Sequence, residues 1–135
     1  MTFSELLRMR ELIDKLPDIQ WENEKALARA TQITANITGM PRGGGGNHQE
    51  SANVAYAAAV ESYHGALDEL EAYRRRLAPL IDRLDDINDQ GCMRMRYIHG
   101  LRIKEIAVTL NYADTSVYYH LNRGEREVVR MKESL

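Results

Sequence analysis

"KEIAVTLNYADTSVYYHLNRGERE" spans Lys104 to Glu127. Its apolar residues recur at helical spacing, stop at Asn111–Asp114 and then resume. Ile106, Ala107 and Leu110 form the buried face of the first run, and the small Ala107 lets a second helix approach closely. Asn111 stands where a helix ends in a left-handed residue, a position for which asparagine is the next choice after glycine. Tyr112 is the apolar plug of the turn, and Asp114 is the natural cap of the next helix. That helix has the inward stripe Val117, Leu121, Gly124 and Val128, at spacings of four, three and four. Two helices around so short a break form a helix-turn-helix pattern.

The second helix then turns Thr115, Ser116, Tyr118, Tyr119, Asn122, Arg123 and Arg126 outward. Hydroxyls, an amide and guanidiniums are the donors and acceptors that read base edges and phosphates. A B-DNA major groove about 12 Å wide accepts one such helix. The same pattern also fits a plain two-helix corner with a polar outer face. Just upstream, "DDINDQGCMRMRYIHG" predicts a helix capped by Asn88 or Asp89, running through Met93, Tyr97 and Ile98 and ended by Gly100.

Further upstream, residues 51–89 read as one long helix. Tyr56, Tyr63, Leu70, Leu77 and Leu84 repeat every seven residues, with Val60, Leu67, Arg74 and Ile81 at the partner position. Pro79 should kink or split it. Before it, Gly39–Gln49 carries four consecutive glycines, which oppose a helix and predict a flexible connector over 39–50. No strand precedes this run and no Lys-Ser/Thr follows it, so it lacks the parts of a phosphate-binding loop. Residues 1–38 read as helical, with Ser4 as cap and Leu6, Met9, Ile13 and Leu16 on one face, interrupted at Pro17. The heptad seam is satisfied by this first segment folding back as a hairpin, or equally by a second copy in a homodimer. The expected fold class is therefore all-α: a long helical hairpin or coiled-coil segment, then a helix-turn-helix over 90–135.

The chain carries a net charge of −2, with Cys92 its one cysteine. From Cys92 onward eight cations face five anions, giving +3 there and −5 over the first 91 residues. A basic end on an acidic body suits a local polyanion site. No apolar run approaches the roughly 20 residues that span a bilayer. One cysteine forms no internal disulfide, which fits the cytoplasm. His48, His64, His99 and His120 have no metal-ligand spacing, and no nucleophile–base constellation appears. Neither an enzyme nor a metal or other cofactor is expected.

"MRYIHGLRIKEIAVTLNYADTSVYYHLNRGERE" resembles region four of bacterial sigma factors, through Arg96, Tyr97, Ile98, Gly100, Leu101, Glu105, Ile106, Ala107, Leu110, Ser116, Val117, Leu121 and Arg123. The whole layout is similar to small phage and mobile-element transcriptional regulators of the late-gene or autolysin-activator type. In those, a "GMPRGGG"-like stretch separates helical segments, here Gly39–Gly45. Asn111 replaces the family's usual glycine, Ala113 its capping serine and Gly124 a typical alanine, and tyrosines stand where more arginines are common. Nothing resembles the promoter-melting region two. The resemblance implies a cytoplasmic, sequence-specific DNA-binding regulator that reads the major groove with residues 114–130. Its DNA-contacting residues would be Arg102, Lys104, Asp114, Thr115, Ser116, Tyr118, Tyr119, Asn122, Arg123 and Arg126, with Arg96 near the backbone. Double-stranded DNA is the implied partner, and RNA polymerase a second. The rival readings are a small phage packaging (terminase) subunit with an oligomerising helical segment, and a helical protein-interaction adaptor.

Overall fold

The computed structural model describes residues 1–37 and 45–133, and only the backbone of 32–37 and 45–49. The part of the expected connector before Gly45 lies outside the described residues. Five α-helices and one π-helical turn make up the described chain: α1 (Phe3–Ile37), α2 (Gly45–Asp82), α3 (Ile87–Met93), the π turn Arg94–Ile98, α4 (Ile103–Leu110) and α5 (Asp114–Arg130). No strand occurs among the described residues, and the fold is all-α as expected. None of these helices is long and apolar enough to cross a membrane.

Several local expectations are corrected. Thr2, not Ser4, caps α1: its hydroxyl accepts the Glu5 N–H at 3.2 Å while the Glu5 carboxylate accepts the Thr2 N–H at 3.0 Å. This reciprocal pairing satisfies two donors that a helix start leaves open. Pro17 lies inside α1 and Pro79 inside α2. Each removes one backbone donor, and the surrounding turns carry the helix past it. The long helix starts inside the glycine run at Gly45 and stops at Asp82 rather than Asp89.

The chain divides into two compact units, Met1–Asp14 with Glu69–Leu135, and Lys15–Asp68. In the first, Leu6, Met9, Leu12 and Ile13 of α1 and Leu70, Leu77, Leu80 and Ile81 of α2 are buried. Arg76 pairs with Glu5, and Arg8 with Glu69 at 2.8 Å. Residue numbers rise along α1 as they fall along α2, so these turns run antiparallel, and at this end the hairpin closes within one chain. Arg74, the polar member of the heptad seam, is mostly buried and donates through Nε to the Tyr97 carbonyl at 2.7 Å. The seam residue that breaks the apolar pattern thus ties α2 to the π turn. In the second unit, Ala30 and Ala52 are buried, while Tyr56, Val60, Tyr63 and Leu67 of the seam are half-buried. The Lys25 ammonium there lies 4.3 Å from the Trp21 ring centre.

Candidate nucleic-acid interface

Asp86 caps α3 in place of Asn88 or Asp89, accepting the N–H groups of Asn88 at 2.8 Å and Asp89 at 3.1 Å. The Asp89 N–H is the main reason the Asp86 carboxyl is held below its ordinary pKa. The helix then widens into the π turn, where His99 N–H reaches the Arg94 carbonyl at 3.1 Å. Gly100 ends it at φ 71°, a left-handed conformation that suits glycine.

Arg102 precedes α4, and its N–H is taken by the Glu105 carboxylate at 3.2 Å. α4 ends at Asn111, which adopts the left-handed conformation (φ 56°, ψ 46°) that its sequence position suggested. The Tyr112 N–H closes on the Ala107 carbonyl at 2.9 Å. Its hydroxyl donates to Asn88 Oδ1 at 2.7 Å, so the plug of the turn is also anchored to α3. α5 starts without the expected Asp114 cap. Ala113 occupies the cap position with no side-chain hydrogen bond, and Asp114 lies in the first helical turn. There its charge is favourable to the open N–H groups of the helix start.

The inward face of α5 is Val117, Leu121, Gly124, Glu125 and Val128. At Gly124 α5 passes close to α3: a Cβ there would sit 2.6 Å from Met93 Cγ. Glu125 is buried and accepts the Tyr97 hydroxyl at 2.7 Å. Burial, then the Glu125 charge, push the Tyr97 phenol well above its ordinary pKa, so it remains the donor.

The outward face carries Thr115, Tyr118, Tyr119, Asn122 and Arg126, all exposed, at steps of three, one, three and four. Arg102, Lys104 and Asp114 are also exposed, and Ser116 is half-buried. Arg123 departs from the expectation: its side chain turns back to α3. Its Nε donates to Asp89 Oδ2 and its Nη2 to Asp86 Oδ2, each at 2.7 Å, while Nη1 reaches the Tyr119 hydroxyl at 3.0 Å. The Asp89 side chain is only 4% exposed. Arg96, expected near the DNA backbone, is buried and pairs with Asp14 at 3.3 Å.

Sequence reasoning missed one cluster. His120 Nδ1 lies 2.7 Å from Asp89 Oδ1, so Asp86, Asp89 and His120 converge from two helices. Such a trio offers ligand atoms to a metal, but the Arg123 guanidinium already lies against both carboxylates. The "DDIND" spacing, which places two carboxylates three residues apart at the cap and first turn of a helix, was the available signal. Cys92 is buried, and burial pushes its thiol up to about 11.

Fold and site together define an all-α protein whose last helix presents a polar stripe outward from a small apolar core. Residues 34–129, more than half of the chain, match the family model described as "Protein of unknown function (DUF1492)". The chain belongs to that family. No curated protein and no solved structure matches it.

Proposed function

We propose that this protein is a sequence-specific DNA-binding transcriptional regulator of phage or mobile-element type, entering the major groove with α5 as sigma region-four modules do. One observation carries the reading: α5 buries one face on its neighbours and leaves the opposite one free. That free face, Thr115, Tyr118, Tyr119, Asn122 and Arg126, is hydrogen-bonding along more than two turns. The Arg102 guanidinium and the Lys104 ammonium are exposed, have no ion pair among the described residues and serve as phosphate contacts at the rim. RNA polymerase is the second partner, following from the sigma-like sequence.

Titration of the whole chain with random duplex at two salt concentrations tests this. Binding should weaken as salt rises, with a log–log slope of about −0.9 for each phosphate contacted. Arg102→Ala with Lys104→Ala should make that slope shallower at unchanged helicity. No duplex binding at low salt contradicts the proposal and favours the adaptor. The mass in solution separates a monomer, or a dimer through the long helices, from the large ring expected of a packaging subunit.

A further inference from the structure

The side chains left on the free face of α5 set the kind of base pair it reads. Arginine reading guanine in two-pronged fashion is the commonest specific contact in a major groove. Arg123 is the arginine nearest the middle of α5, and it is bound to Asp86 and Asp89 of α3. Arg126 lies a turn beyond Asn122 toward the end of the helix, and its Nε folds back to the Asn122 carbonyl at 3.3 Å. The first two turns, which reach base edges in such docking geometries, therefore present no guanidinium. They present Thr115 and Tyr118, with Asn122 opening the third turn on the same face. Among the described residues, the Tyr118 hydroxyl and the Asn122 side-chain amide have no hydrogen-bond partner. Tyr118 and Asn122 are one turn apart, about 6 Å along the axis, or nearly two base-pair rises of about 3.4 Å, so they reach base pairs within two steps of each other.

We infer that α5 reads a core of A·T pairs, with the Asn122 amide pairing to the N6 and N7 edge of an adenine and the Tyr118 ring lying on the C5-methyl of a neighbouring thymine. The amide matches adenine's donor–acceptor edge, and the thymine methyl is the apolar feature of the groove. Asp114, at the start of the helix, suits a cytosine amino group at the border of the core. Tyr119 accepts from Arg123, so its own proton points away from that contact as a donor to phosphate. This inference rests on the DNA-binding proposal and deepens it.

The test is selection of duplexes from a random pool by the whole chain. The bound sequence is then remade with deoxyuridine in place of thymine, which removes only the methyl group. The expected result is an A·T core, with affinity lowered about fivefold or more by the methyl removal or by Asn122→Ala, the variant's circular dichroism unchanged. A G·C core, or a site indifferent to both changes, overturns this inference while leaving the DNA reading intact. A pool from which nothing is retained at low salt overturns both.

Discussion

Arg123 and Gly124 are neighbours with opposite structural duties on α5. The Arg123 guanidinium lies between the carboxylates of Asp86 and the buried Asp89, and Asp89 raises its pKa above the ordinary arginine value. Removing the buried partner strands both Arg123 and His120. Asp89→Ala should therefore cost about 2–4 kcal/mol in denaturant unfolding, somewhat below the ~3–5 kcal/mol of a fully buried pair broken from one side because the Arg123 side chain is 35% exposed. Arg123→Ala should lower the melting temperature too, whereas a purely DNA-facing arginine would leave it unchanged. At Gly124, an added Cβ meets Met93 Cγ at 2.6 Å. Gly124→Ala gains up to about 1 kcal/mol of helix propensity but forces overpacking of about 1–3 kcal/mol, so a net loss is expected by thermal melting. Spacing revealed Gly124 as inward-facing but not the proximity of Met93. The same spacing placed Arg123 outward, because the carboxylates that claim it lie 34 and 37 residues earlier. Helical periodicity finds a face, and it does not see a partner that arrives from another element.

Among the elements, the joint between α4 and α5 was the most legible. Asn111 is left-handed, and Ala107, Val117 and Leu121 are buried, as a short-range pattern of 3.6 and a turn residue can specify. The cap was less legible, since "NYAD" offers an aspartate one residue beyond the true cap position. Ala113 leaves the first N–H groups of α5 without a side-chain acceptor. Ala113→Ser should raise stability by about 0.5–2 kcal/mol, measured by chemical denaturation. An unchanged midpoint would mean that Asp114 already satisfies those groups. Neither Pro17 nor Pro79 splits its helix, because a single lost bond is a small term in helices of 35 and 38 residues. The π turn at Arg94–Ile98 has no signature in side-chain periodicity.

For the whole molecule, composition and heptad spacing were enough to give an all-α fold, and the basic end was only partly a surface property. Arg94, Arg96 and Arg123 are spent on Asp82, Asp14 and the Asp86–Asp89 pair. In the unit formed by Met1–Asp14 and Glu69–Leu135, Arg76 bridges Glu5 and Glu133. The Arg76 guanidinium holds the Glu133 carboxyl at about 2, below its ordinary 4.5, and also lowers Glu5. Both folded pKa values are depressed, so the stability they contribute is complete above about 4.5 and is lost as pH falls toward about 2. These groups are solvent-exposed and screened, so the fall in melting temperature across that window should be modest and should shrink in high salt. Arg76→Gln should flatten it.

α5 keeps its inner face on the core, and in the proposed function it offers its outer face to DNA. Backbone amide chemical shifts, followed as duplex is added to the whole chain, check that arrangement residue by residue. The expected result is perturbation concentrated at Thr115, Tyr118, Tyr119, Asn122 and Arg126, with Arg102 and Lys104 beside them, and little change at Leu77 or Ile81. Perturbation confined to α1 and α2, or none at any duplex concentration in low salt, would contradict it.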